Sequence, residues 1–206
     1  MLKAKPRLDR DARREAILDV AQEVFLEEGF AAASMSTIAA RLGGSKGTLY
    51  NYFASKDELF KAYVERRCLW QQDEVFAVIS GETPEEALLR IARSFLTHVL
   101  SEITLRNFAV IAAESERAPE LGRVLYETGP KQGTERLAAF LAGLDAAGAL
   151  ELDGDPLGAS QHLLGLLQSP LMKARLLNAI PPITPTQVDS EAARGVRTFL
   201  RAFGRR

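Results

Sequence analysis

A glycine-rich segment with one lysine, GGSKGTLYNYF at residues 43–53, contains the residue types that can bind a phosphate. A nucleotide-binding phosphate loop needs the order G-x-x-x-x-G-K-[ST] directly after a β-strand. Here Lys46 precedes the last glycine, and the residues before Gly43 have helical periodicity. The dinucleotide fingerprint G-x-G-x-x-G is absent as well. We therefore expect no nucleotide site in this segment and no cofactor.

Helical periodicity along the chain predicts an all-α fold of about nine or ten helices. Apolar residues recur every three or four positions from Ile17 to Phe25, and Gly29 should end that first helix. Capping boxes beginning at Ser55 and Thr83 open two longer helices, the first of which should run to about Ile79. The remaining helices are expected at roughly 36–42, 46–52, 103–115, 119–127, 131–147, 156–178 and 187–203, with a kink or split at Pro170.

Composition limits the function classes. The chain has 206 residues, of which 47% are hydrophobic and 26% charged, enough for a sizeable core. Cys68 is the only cysteine, so a disulfide within the chain and a cysteine-based zinc cluster are excluded. We see no signal peptide and no membrane span, and we expect a cytoplasmic protein with no metal. Residues 1–10 form a basic, flexible arm that either contacts a polyanion or is simply solvated.

The segment at residues 43–53 is better explained as the turn and second helix of a helix-turn-helix, in which a glycine-containing turn joins two short helices. In such a motif the N-terminal residues of the second helix contact base edges in the DNA major groove. Ser45 can cap this helix, and Lys46 and Thr48 lie on its first turn. Leu49 and Phe53 are four residues apart and should both face the core.

Residues 11–60 resemble the DNA-binding domain of the TetR family of bacterial transcriptional regulators. The resemblance is carried by ILDVA at 17–21, Phe25, Gly29-Phe30, SMSTIA at 34–39, SKGTLYNYF at 45–53 and SKDEL at 55–59. It implies a helix-turn-helix at about 34–53 within a DNA-binding domain at 11–56. It also implies a helical effector-binding and dimerisation domain at 57–206, a homodimer, and a palindromic double-stranded DNA operator.

The resemblance also assigns residue roles. Lys56 matches a phosphate-contacting lysine at the start of the fourth helix, and Ser34 or Ser36 matches a phosphate contact at the start of the second. The DNA-binding set is Ser34, Ser36, Ser45, Lys46, Gly47, Thr48, Tyr50, Asn51, Tyr52 and Lys56. Two positions depart from the family pattern: Gly44 stands where an aliphatic residue is common, and Ala33 where threonine is common.

The C-terminal part resembles, more weakly, an AefR- or AcrR-like subgroup at residues 112–123. The dimer interface is expected in the last two helices, at Leu163, Leu167, Leu171, Val196, Phe199, Leu200 and Phe203, unless these residues line the core of the monomer. A mostly apolar ligand pocket is expected among Trp70, Phe95, His98, Phe108, Ile111, Phe140, His162 and Gln168.

These observations predict a ligand-responsive, DNA-binding transcriptional regulator, most simply a repressor that a small molecule releases from its operator. The effector is unknown. We expect no catalytic residues, because no Ser/His/Asp or Cys/His arrangement is indicated. The alternative is a helical small-molecule-binding protein or an enzyme without a sequence-specific DNA role.

Overall fold

The computed structural model describes residues 10–69, 75–76, 79–168 and 171–205. Within these residues the chain forms eleven α-helices and one π-helical turn at Glu127–Lys131. An isolated bridge between Leu150 and Gly204 is the one extended pairing there. The prediction of an all-α fold is confirmed. The α-helices are α1 (Arg10–Ala32), α2 (Met35–Arg41), α3 (Lys46–Tyr50), α4 (Lys56–Leu69), α5 (Pro84–Val99), α6 (Glu102–Glu114), α7 (Pro119–Tyr126), α8 (Gln132–Ala146), α9 (Pro156–Gln168), α10 (Leu171–Leu176) and α11 (Pro185–Phe203).

Several helix boundaries differ from the sequence-based expectation: α1 runs past Gly29 to Ala32, and α3 ends at Tyr50. The helix that opens at Ser55 does not continue to Ile79, because Val75 and Phe76 lie in a turn and Ile79 is not helical. The last helix begins at Pro185 instead of residue 187, because Thr184 and Gln187 form a complete capping box. The expected split near Pro170 falls between α9 and α10, at residues outside the described part of the chain.

Residue contacts divide the chain into two compact units. The first comprises the described part of Met1–Arg67 together with Val110–Leu125, and the second the described parts of Cys68–Ala109 and Tyr126–Arg206. Helix α6 therefore begins in the second unit and ends in the first. The expected basic arm falls almost entirely on residues 1–9, which are not described.

The core of the first unit is built around a cluster of four aromatic rings from α1 and α4. The ring centroids of Phe30 and Phe60 are 5.0 Å apart, and those of Phe25 and Phe60 are 5.4 Å apart, both edge-on. Tyr63 completes the cluster at 6.2 Å from Phe25 and from Phe60. Edge-to-face aromatic pairs contribute ~0.5–1.5 kcal/mol each beyond the area they bury. This cluster fixes α4 against the end of α1.

The path of α1 is broken at Gly29, as its sequence predicts. Gly29 has φ 76° and ψ 163°, a conformation that is open essentially to glycine alone. Phe30, directly after the break, is buried in the aromatic cluster. The break thus turns the chain towards α2 while the following side chain stays in the core.

The turn between α2 and α3 is a Schellman motif. Gly43 donates its N–H to the carbonyl of Ala40 at 3.1 Å, and Gly44 donates to the carbonyl of Ala39 at 3.2 Å. Gly43 occupies the left-handed region with φ 65°, whereas the φ of Gly44 is not positive. A Cβ at Gly44 would lie 3.0 Å from Nη2 of Arg13, the flexible end of a long side chain. Only the first glycine is therefore required by backbone geometry.

The second unit packs α5, α8, α9 and α11 around one apolar core. Leu88, Leu141, Leu163, Val196 and Phe199 are all fully buried there. Helix α5 begins with the predicted capping box, in which Thr83 and Glu86 exchange hydrogen bonds. The core therefore uses one face each of α9 and α11, and their opposite faces are left exposed.

A partly buried ion pair between Arg90 and Glu82 holds the segment before α5 in place. The Arg90 guanidinium donates from Nε and Nη2 to the two carboxylate oxygens of Glu82 at 2.9 and 2.8 Å, and from Nη1 to the carbonyl of Val75 at 2.6 Å. The hydrogen bond from Arg90 lowers the pKa of Glu82 below its usual value. The pair therefore remains charged as the pH falls past the ordinary pKa of a glutamate.

No helix in the described ranges is both long enough and apolar enough to cross a membrane.

Replacing each glycine of the turn with alanine should separate their roles. Gly43→Ala forces a Cβ into the left-handed region and should reduce the free energy of unfolding by about 1 kcal/mol or more. Gly44→Ala displaces only the end of Arg13, and should leave the melting temperature nearly unchanged. Thermal unfolding followed by circular dichroism compares the two matched variants. Equal loss in both variants would contradict the assignment of the turn.

Candidate DNA-binding interface

Helices α2 and α3 begin with the same N-capping motif. Ser34 accepts a hydrogen bond from the N–H of Thr37 at 3.0 Å, and Ser45 accepts one from the N–H of Thr48 at 3.1 Å. In each case the two hydroxyls are also hydrogen-bonded, at 2.9 Å. The sequence folds this way because S-x-x-T places a capping oxygen over the first turn. Three of the predicted DNA-binding residues, Ser34, Ser45 and Thr48, thus have a structural task as helix caps.

The outer face of α3 carries exposed polar side chains. Tyr50 is 46% exposed, and Lys46 and Asn51 are exposed as well. Leu49, on the opposite face, is buried, as is Phe53 after the helix, which confirms the prediction that both face the core. Tyr52 is half-buried, so its contribution to an outer surface is smaller.

Gly47 sits on this same exposed face. A Cβ at Gly47 would meet nothing nearer than Oγ of Ser45 at 3.8 Å, and its φ is not positive. No contact within the described chain therefore requires a glycine here. Its lack of a side chain leaves room beside Lys46 for another molecule to approach the backbone.

The structure assigns Lys56 a different task from the phosphate contact that the family resemblance implies. Its ammonium group donates to the carbonyls of Phe30, Ala31 and Ala33 at 2.6, 3.3 and 3.0 Å. It also lies 4.3 Å from the ring centroid of Phe30. An ammonium group has three N–H donors, and all three are used inside the protein. Lys56 therefore caps the end of α1 and fastens it to the start of α4.

Two arginines of α1, one beside the α2–α3 turn and one beside Phe53, were not among the predicted site residues. Arg13 reaches Gly44, as described above, and the guanidinium carbon of Arg14 is 5.3 Å from the ring centroid of Phe53. They place positive charge near the two ends of α3, where it can attract a polyanion. The basic composition of the first 14 residues was the signal that could have identified them.

A third arginine, Arg41 in the last turn of α2, is tied to α1 instead. It forms ion pairs with Glu27 at 2.5 Å and Glu28 at 3.3 Å. The hydrogen bond to Glu27 raises the pKa of Arg41 above its usual value. These contacts fix the end of α2 just before the turn.

The described residues predicted to line a ligand pocket do not all lie in one buried site. Ile111 is buried in the first unit, whereas His162 is exposed and stacks on Phe203 with ring centroids 5.9 Å apart. Phe108 is exposed, and Trp70 lies outside the described residues. The other four, Phe95, His98, Phe140 and Gln168, are half-buried in the second unit. Helical periodicity identified apolar positions but could not show which ones share a cavity.

The predicted dimer residues also need a correction. Leu163, Leu167, Val196 and Phe199 are fully buried in the core of the second unit, so they have no surface to offer a partner. The alternative noted above, that these residues line the monomer core, holds for these four. The remaining three, Leu171, Leu200 and Phe203, are half-buried at the edge of the same core.

Comparison with known proteins agrees with this architecture. Residues 17–63 match the family model of bacterial regulatory proteins of the tetR family, and residues 86–205 match the C-terminal domain of AefR-like transcriptional repressors. The second match alone covers more than half of the chain.

Two solved structures and one relative illustrate the similarity. A candidate TetR-family regulator from Mesorhizobium loti MAFF303099 is 27% identical over 96% of this chain and 100% of its own, with a TM-score of 0.85. The flavonoid-responsive regulator FrrA is 35% identical over 94% of this chain and 98% of its own, with a TM-score of 0.79. The transcriptional activator FasR of Mycolicibacterium smegmatis is 50% identical over 60 residues, which are 29% of this chain and 27% of FasR.

The helix-turn-helix in the first unit, the helical second unit and the two family matches lead to one conclusion. The chain belongs to the TetR family of bacterial transcriptional regulators.

Proposed function

We propose that this protein is a ligand-responsive transcriptional regulator that binds a palindromic operator as a homodimer. The observation that carries the proposal is the outer face of α3, where Lys46, Tyr50 and Asn51 are exposed beside Gly47. A capped helix with exposed polar side chains at its N-terminal turn suits the major groove, which admits one α-helix. Such a regulator acts on the chromosome, in the cytoplasm.

The side chains of this face have complementary tasks. Lys46 can donate to guanine O6 or N7, and Asn51 can pair with adenine. The hydroxyl of Tyr50 can donate to a phosphate, and its ring can contact a thymine methyl group. Arg13 and Arg14 supply non-specific attraction to the DNA backbone from the N-terminal part of α1.

We assign the dimer contact to the exposed faces of α9 and α11. Helix α9 contains no charged residue, yet Leu157 is 46% and Leu166 is 36% exposed on its outer face. Gln161 and Gly165 lie between them and are also exposed. A helix with an apolar, uncharged outer face is typical of a surface that a second chain covers. A self-complementary contact of this kind produces a two-fold symmetric dimer.

Repression is the mode of action that the C-terminal match favours. The model matched over residues 86–205 describes AefR-like repressors, whereas FasR, which matches over only 60 residues, is named an activator. FrrA is described as responding to flavonoids. We propose that a small molecule bound by the second unit favours a dimer whose two α3 helices no longer match adjacent major grooves.

The proposal is tested by selecting bound duplexes from a randomised DNA library and sequencing them. The expected product is an inverted repeat whose half-site centres are ~10 base pairs, or a multiple of that spacing, apart. Recovery of unrelated sequences at low salt would refute sequence-specific binding.

Replacing Lys46 tests base recognition. Lys46→Ala should change the preferred base at one position of each half-site and reduce discrimination there by ~1–3 kcal/mol. Fluorescence anisotropy with duplexes substituted at single positions measures the effect. Lys61→Ala is the control, because Lys61 is also exposed but lies on α4, where it pairs with Glu65. A uniform loss of affinity with a smaller salt dependence would make Lys46 a phosphate contact instead.

Replacing Lys56 tests its internal role. Lys56→Met removes the ammonium group and keeps an apolar stem, which leaves three carbonyls without their donor. The free energy of unfolding in urea should fall by about 1–3 kcal/mol, with Lys61→Met as the exposed control. Unchanged stability together with weaker, less salt-dependent DNA binding would restore the phosphate contact that the resemblance implies.

Replacing Leu166 tests the dimer contact. Leu166→Arg places a charge on the uncharged face of α9 and should convert the dimer into monomers in sedimentation experiments. Leu177→Arg is the control, since Leu177 is 78% exposed but follows α10 and is not part of α9. A dimer that survives Leu166→Arg and dissociates on Leu177→Arg would place the interface elsewhere.

A further inference from the structure

A cavity of about 420 Å³ lies in the second unit, between the end of α5, helix α10 and the segment that leads into α11. Its apolar wall includes Leu96, Leu100, Ile183 and Val188. Small-molecule sites are typically clefts of ~300–1,000 Å³ with mostly apolar walls and few polar groups. The residues predicted to form a pocket from the sequence do not line this cavity, so it is a different place in the fold.

One charged side chain in the wall is almost completely buried. Arg175 is 8% exposed, and its Nη1 donates to the carbonyl of Ile180 at 2.8 Å. Its Nε is buried and has no hydrogen-bond partner among the described residues. A buried guanidinium with an unused donor lowers the stability of the fold, because the N–H group has lost its hydrogen bond to water without gaining another acceptor. The arrangement is therefore incomplete without another molecule.

The free edge of Arg175 has the shape of a carboxylate receptor. Since Nη1 is engaged, the edge formed by Nε and Nη2 remains for a partner. Two parallel N–H groups on that edge match the two oxygens of a carboxylate in a bidentate pair. The neutral oxygen of an alcohol or ketone would use one donor and leave the charge uncompensated.

The other charges of the cavity limit the ligand to a single negative charge. Arg93 is already paired with Asp189, whose Oδ1 lies 2.7 Å from Nε of Arg93. Glu102 also borders the cavity, and it is exposed. Arg175 is thus the one cation of this wall without a carboxylate partner in the described chain. A dianionic phosphate would find one cation here and would be repelled by Glu102.

We propose that this cavity binds a small monocarboxylate, whose carboxylate pairs with Arg175 and whose apolar body lies against Leu96, Ile183 and Val188. The binding does not depend on the DNA role. The further claim that such a ligand is the effector rests on the proposed function above.

Octanoate and benzoate are suitable probes, titrated calorimetrically into the full-length protein without DNA. At least one of them should bind, while octan-1-ol and inorganic phosphate should bind far more weakly. Arg175→Gln should reduce the affinity about 10- to 100-fold, the range expected for a lost charge-assisted pair. Lys173→Gln is the matched control: it removes an exposed cation two residues away on the same helix and should leave the affinity unchanged.

A second variant keeps the test valid if Arg175→Gln destabilises the fold. Thr97 is exposed and borders the cavity, so Thr97→Trp should fill it while retaining Arg175 and the packing of α5. This variant should abolish octanoate or benzoate binding without changing the melting temperature or the affinity for the selected DNA. Unchanged carboxylate binding in both variants, no binding of either probe to the native chain, or a preference for phosphate would overturn the proposal. DNA binding by the native chain would be unaffected by any of these failures.

Discussion

The ammonium group of Lys56 is the contact on which the geometry of the DNA-binding unit depends. It donates to three carbonyls, two in the last turn of α1 and one on Ala33 directly after it, and it stands at the first position of α4. A lysine at a helix N-terminus is mildly unfavourable because of the helix dipole. Here the three carbonyls offset that cost, and the same group fixes the end of α1, the start of α2 and the start of α4.

Around this contact, several local features of the unit together fix the position and direction of α3. The break at Gly29 sets the direction in which the chain leaves α1, and the aromatic cluster holds Phe30 in the core. Gly43 turns the chain between α2 and α3, and the Ser45 cap fixes the start of α3. The result is a short helix held by its buried Leu49, with its opposite face exposed. Recognition by a five-residue helix requires this external support, because so short a helix is unstable alone.

Features encoded by neighbouring residues could be predicted from the sequence. The break at Gly29, the caps at Ser45 and Thr83 and the core positions Leu49 and Phe53 all follow from spacing over a few residues. The capping box at Thr184 has the same local signal, T-P-x-Q in place of T-P-E-E, and could have been recognised.

Features that depend on distant residues could not be predicted. The carbonyls that Lys56 binds are 23 to 26 residues away, and nothing local distinguishes this lysine from a phosphate contact. Periodicity showed that α9 has apolar residues on more than one side. It could not show that Leu163 and Leu167 face their own chain while Leu157 and Leu166 face outwards. The buried Arg175 lies in a segment with ordinary composition, so its isolation appears only when α5, α10 and α11 are brought together.

We propose that α3 enters the major groove of two symmetric half-sites. Methylation interference tests it most directly, because dimethyl sulfate modifies guanine N7, which lies in the major groove. Methylation should block binding at two clusters of guanines, related by two-fold symmetry and centred about one helical turn, or a multiple of it, apart. Binding that tolerates methylation of every guanine N7 in guanine-containing half-sites, while remaining sensitive to minor-groove modification, would contradict it.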